Sequence, residues 1–122
     1  MTKKYIAQEF LKLAANGHSH EAFRLYIGEN FKHHNAYFKG DANTLMIAME
    51  ESSRKNPNKT FKIHHALRDG DLVAVHSCVK QNSTDLGTAV VHIFRFEADK
   101  IVELWDLGQP IPKVTVNENG VF

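Results

Sequence analysis

LVAVHSCVKQNSTDLGTAVVHIFRFEADKIVELWD, residues 72–106, holds three apolar runs separated by turn-forming polar residues. Side chains alternate across a strand, so the first run divides into Val73, Val75 and Ser77 on one face and Leu72, Ala74, His76 and Cys78 on the other. The second divides into Val90, His92, Phe94 and Phe96 against Ala89, Val91, Ile93 and Arg95. The third divides into Ile101, Glu103 and Trp105 against Val102, Leu104 and Asp106. With the run before them, they predict strands over Thr60–Arg68, Leu72–Gln81, Gly87–Glu97 and Lys100–Gly108. The links Asp69-Gly70-Asp71, Asn82-Ser83-Thr84-Asp85-Leu86 and Ala98-Asp99 are too short for parallel crossovers, which predicts an antiparallel meander. Both faces are mostly apolar, so one packs on helices and the other is covered by a helix, a partner subunit or a cavity. His76, His92 and Asp106 are the ionisable exceptions in apolar surroundings. They form one polar cluster in an apolar hollow if the registers bring their faces together, and three separately satisfied residues if they do not.

Upstream, the pattern changes from period two to the three-to-four spacing of helices. Ile6, Phe10 and Leu13, with Leu11 and Ala14, mark a first helix from Tyr5 that Gly17 closes. Ser19 to Tyr26 reads as a second helix with Ser19 as its cap, interrupted by Gly28. Leu45, Met46 and Met49 mark the inner side of a third, from near Asp41 to about Lys55, before the turn Asn56-Pro57-Asn58. Between the last two helices, Phe31 to Phe38 mixes aromatic and polar side chains without a period. It reads as a connector whose His33, His34, Asn35 and Tyr37 stand at a pocket rim or in solvent. The chain is therefore predicted to be a single α+β domain, residues 1–122, with N-terminal helices packed on a strongly curved antiparallel sheet.

Composition narrows the function classes. A chain of 122 residues buries about two thirds of its unfolded surface, enough for a core without covalent staples. Cys78 is the single cysteine, so no internal disulfide forms and a reducing, cytoplasmic setting is expected. No apolar run has the length of a signal peptide core or of a membrane span. Fifteen basic and fourteen acidic residues, with the lysines scattered, leave no footprint for nucleic acid. Eight histidines are the compositional oddity. His33-His34 and His64-His65 are adjacent pairs whose rings diverge in extended chain, and no HExxH or close Cys/His set occurs, so no metal site is expected.

The run Gly87-Thr88-Ala89-Val90-Val91-His92-Ile93-Phe94-Arg95, followed by Asp99 to Gln109, resembles the SnoaL-like branch of the NTF2-like superfamily, as do His34-Asn35 and Asp69 to His76. The resemblance extends from about residue 30 to residue 109. It implies an NTF2-like cone, a cystatin-like α+β roll with an apolar pocket at its wide end, and a homodimer, often through the outer sheet surface. Relatives include polyketide cyclases and ketosteroid isomerases, which work without a cofactor. In the cyclases an acidic residue near the end of the last strand is the base, a role that the resemblance passes to Asp106, with His92 or His76 as its helper. Many relatives carry an aspartate at the position of His92 and a proline at that of Ala36, so this chain departs from them at its candidate site.

The enzymatic reading is proton transfer beside the carbonyl of a small apolar substrate, as in an aldol-type cyclisation or an isomerisation. Asp106 would take the proton, His76 or His92 would donate to the enolate oxygen, and Asn35, His34 or Gln109 would hold a second oxygen. Tyr37 and Phe94 are candidate lining residues. Trp105 would stack on the substrate if it faces inward, although parity sets it opposite Asp106, where a core or interface role is equally open. The alternatives are a noncatalytic small-molecule-binding or homodimeric assembly domain and, less favoured, a histidine-based metal-binding protein.

Overall fold

In the computed structural model, which describes residues 1–122, three helices lie against one face of a five-stranded sheet. Helix α1 (Lys3–Ala15) begins where the Thr2 hydroxyl accepts from the Tyr5 amide. It ends as expected at Gly17, whose φ of +85° lets the His18 amide return to the Leu13 carbonyl. Helix α2 (Ser19–Tyr26) is not capped by Ser19. His18 is its N-cap, and the Ser19 hydroxyl is buried inside the first turn without a partner. Helix α3 (Ala42–Lys55) starts at Asp41, whose carboxylate accepts from the Thr44 amide.

The four expected strands form as β2 (Thr60–Asp69), β3 (Leu72–Lys80), β4 (Thr88–Glu97) and β5 (Lys100–Pro110), antiparallel in sequence order. A fifth was not visible in the periodicity. Ile27–His33 is strand β1, which runs parallel to β5 and makes the sheet mixed, in the order β1-β5-β4-β3-β2. Its alternation is broken by a register shift and by Asn30, with φ +59°, so it reads as irregular. Gly28 sits in this strand rather than ending a helix. A Cβ there would meet Lys100 Cβ at 3.0 Å and Val102 Cγ1 at 3.2 Å. Gly28→Ala should therefore cost about 1–2 kcal/mol in urea unfolding; an unchanged midpoint would mean that β1 gives way freely.

Three register shifts bend the sheet, between Ile27 and Lys32, Ile63 and His65, and Arg95 and Phe96. Its concave face carries Val73, Val75, Phe94, Phe96, Ile101 and Leu104, all essentially buried. Phe10 of α1 is the centre of the packing, with ring centroids 5.2 Å from Phe23 and 5.9 Å from Phe94, the latter edge to face. Ser53 of α3 donates to the Ala14 carbonyl and ties α3 to the end of α1. No helix is long and apolar enough to cross a membrane.

Candidate active site

Beyond the Phe10 core, the helices and the concave face diverge around a cavity of about 350 Å³. Leu11 and Ala14 of α1 and Leu45 and Met49 of α3 form one wall. Phe61, Val79, Val90, His92 and Asp106 of the sheet form the other, and Asn35 and Phe38 close one side. Ten of its sixteen lining residues are hydrophobic, so each polar group acts in surroundings that screen it poorly.

Asp106 and His92 are direct partners across the β4–β5 ladder. Such pairs place their Cβ atoms about 5 Å apart on one face. The loop after β1 holds Asp106 from the other side, where Asn35 Nδ2 donates to Asp106 Oδ2 at 2.9 Å. The amide orientation is fixed because Asn35 Oδ1 accepts from the Tyr37 amide. His33 sets the turn itself. The Asn35 amide donates to His33 Nδ1 at 3.1 Å, so the ring proton is on Nε2, which donates to the Lys39 carbonyl at 2.6 Å. His33 is only 6% exposed, an inward residue that orients Asn35 and not a solvent-facing one.

Burial pushes the His92 imidazolium down to about 4, against a smaller opposing pull from the Asp106 carboxylate. At neutral pH the ring is uncharged. Its Nδ1 is buried without a partner, and Phe61 and Phe94 stand 6.4 and 6.2 Å away by ring centroids.

The other expected site residues lie elsewhere. His76 pairs with His65 and Val91 and points to the convex face, because the β3–β4 register sets Val75, not His76, opposite His92. Trp105 and His34 are also on the convex side, stacked at 5.2 Å and 10°. His34 Nε2 bonds Glu103 Oε2 at 2.6 Å, and Arg95 Nε donates to Glu103 Oε1 at 2.9 Å. The His34 bond, joined by that of Arg95, holds the Glu103 carboxyl below its ordinary value despite burial. Gln109 lines a shallow convex depression with His76 and Leu107, and Tyr37 is 89% exposed. Phe94 belongs to the core under Phe10 and does not line the cavity. At the Ile63/His65 register shift the rings of His64 and His65 each stand near His76, at 5.9 and 5.3 Å. No group of three or more His, Cys, Asp or Glu side chains is placed to hold a metal ion.

Three polar cavity residues, Ser52, Lys59 and Gln81, had no signal in the sequence motifs, and the last two flank the sheet. Lys59, just before β2, donates to the Ser52 hydroxyl at 2.5 Å, and Gln81 follows β3. Lys59 and Gln81 each lie two residues beyond an inward side chain, Phe61 or Val79, so continuing the alternation past the strand ends would have found these two.

A curved mixed sheet around helices, with an apolar cavity and a carboxylate–imidazole pair on its concave wall, defines the cone-shaped α+β class of small pocket proteins. A family model for the SnoaL-like domain matches residues 7–104, and the chain belongs to that family. Solved structures agree on the fold. An NTF2-like protein of unknown function from Cytophaga hutchinsonii is 17% identical, with 90% of this chain and 92% of that one covered, at a TM-score of 0.73. A candidate polyketide cyclase from Bacillus cereus is 23% identical, with 88% and 75% covered, at 0.75. IdmH, a candidate polyketide cyclase from Streptomyces antibioticus, is 15% identical, with 89% and 93% covered, at 0.73. No curated protein matches the chain in sequence.

Proposed function

We propose that the cavity takes a small, apolar, carbonyl-containing molecule and that Asp106 moves a proton at the carbon beside the carbonyl, without a cofactor. The opposed Asp106–His92 pair on an apolar wall carries this reading. Asn35 engages Oδ2 of Asp106 and leaves Oδ1 for the substrate. As the C–H bond breaks, its electron pair moves to the carbonyl oxygen, which becomes an enolate, and the proton goes to Asp106. The neutral His92 ring donates an N–H to that oxygen, and Asp106 returns the proton to the enolate or to its product. The cyclase and isomerase chemistry of the relatives divides only after this shared step. The test is proton–deuterium exchange at the activated carbon of a panel of β-keto esters, followed by NMR. Exchange above the buffer rate is expected for at least one member. Thermal stabilisation by bound esters with no exchange in any of them would leave a binding domain instead.

We also infer that the chain pairs with a second copy through its convex sheet face. Leu67 and Leu107 are 68% and 69% exposed there, with half-buried Ala74, Val91 and Ile93 on the strands between β2 and β5. Contiguous apolar surface of this kind marks an interface. Light scattering should give a dimer for the native chain and a monomer for Leu107→Glu; a native monomer would end the inference.

A further inference from the structure

The cavity has a second polar end. Lys59 is half-buried in its wall, its Nζ held by Ser52 of α3, and no carboxylate lies within ion-pair distance of it. Taking an ammonium partly out of water without a counter-ion is costly, and burial accordingly lowers its proton affinity. The one bond to Ser52 leaves two N–H donors. Gln81 lies in the same wall, and its Oε1 is buried with no hydrogen-bond partner. With Oε1 turned inward, Nε2–H is the end of this amide that stays open, and the pairing of Thr60 with Lys80 sets Gln81 next to Lys59, so the two offer donors suited to a planar anion.

This end is remote from Asp106. β5 and β2 are separated by β4 and β3 in the sheet, three spacings of about 4.8 Å each, and Gln81 lies further along β3 than Val75, the residue opposite His92; curvature shortens both distances across the concave side. A molecule that reaches both ends is elongated, at least the length of a bicyclic aromatic.

We propose that Lys59, with Gln81, recognises a carboxylate on the substrate, so that the ligands of this cavity are carbonyl-containing acids held with the acid at Lys59 and the enolisable carbonyl at Asp106 and His92. The assignment rests on the proton-transfer reading for the carbonyl end and adds the substrate class. Lys59 is a specificity residue here and takes no part in the proton transfer. Its charge fixes the direction in which an otherwise apolar molecule enters, because the reversed pose would bring two carboxylates together at Asp106.

The probe is a linear hydroxynaphthoate with its hydroxyl and carboxylate on opposite rings, the phenol standing for the enol, titrated by fluorescence against its methyl ester near neutral pH. The free acid should bind the native chain about tenfold more tightly than the ester, the effect of one partly buried ion pair. Lys59→Met should bring the ratio to about one, and Lys59→Arg should keep the preference for the acid, since the cation is retained. A thermal melt of Lys59→Met checks its fold. It should match or exceed that of the native chain, because an unpaired half-buried charge is replaced by an apolar side chain. Equal binding of acid and ester by the native chain, a preference that survives Lys59→Met, or no binding of either probe overturns the proposal. Its failure is separable from that of the proton-transfer reading. Exchange that depends on Asp106 with no preference for acids removes only the role of Lys59, and a Lys59-dependent preference without exchange removes only the role of Asp106.

Discussion

Asp106→Asn should slow exchange of the activated substrate proton by about 10²–10⁴-fold, the usual share of a positioned general base. The substitution removes the basic oxygen and little else. The new side chain's carbonyl can still accept from Asn35 Nδ2, so the loop after β1 keeps its anchor and the cavity its shape. A fall in rate with an unchanged melting temperature therefore reports chemistry. Two outcomes would sink the assignment. Exchange equal to that of the native chain would show that Asp106 is not the base, and exchange that disappears only on loss of His92 would move the role there.

The division of labour between the two residues follows from their surroundings. An imidazole held near neutrality by burial cannot act as a charged acid at physiological pH, but it can offer an N–H to a developing oxyanion. Many relatives, by the family resemblance, carry an anion at this position. A second carboxylate beside Asp106 would compete with it for the same proton, whereas a neutral ring leaves Asp106 the single cavity carboxylate. In the proposed reaction, His92 thus reduces the site to one base and one donor, with Lys59 and Gln81 at the far end of the cavity.

Most of the fold could be read from alternation because three strands carry long, uniform apolar patterns and their links are short. β1 could not, since Asn30 and the shift after Ile27 break its period. The site was legible only in part, and the reason is a single extra residue. From the two-residue turn at Ala98-Asp99, Glu97 faces Lys100 and Phe96 faces Ile101. An unbroken hairpin would go on to set Trp105 opposite His92. The bulge between Arg95 and Phe96 slips the register so that Arg95 faces Glu103, which turns Asp106 inward and Trp105 out to His34. A turn type shows in a sequence, but a bulge depends on how the sheet wraps its helices. His76 failed for a simpler reason. Residues 81–87 link β3 and β4, and nothing in a seven-residue loop fixes which parity of β3 meets His92.

The same burial that keeps His92 neutral should make the native state sensitive to acid. Its folded pKa, about 4, lies below the unfolded value of 6.5, so below 6.5 the unfolded chain binds a proton that the native chain refuses. Its contribution is therefore full above pH 6.5, declines as the pH falls towards 4 and levels off below that. Between about pH 7 and about pH 4.5 the loss is on the order of 2.5 kcal/mol, since each tenfold difference in proton affinity is worth about 1.4 kcal/mol. Other histidines and carboxylates titrate in the same window, so the informative quantity is a difference. Urea unfolding of the native chain and of His92→Gln, which keeps a neutral polar side chain, should give stability curves that converge as the pH falls, with the native chain losing about 2.5 kcal/mol more. The His92 ring protons should titrate near 4 by NMR, far below the ordinary imidazole value. Parallel stability curves, or a ring that titrates near 6.5, would show that His92 is open to water, and the donor assigned to the enolate would then be exposed to exchange with solvent in place of a dry, preorganised N–H.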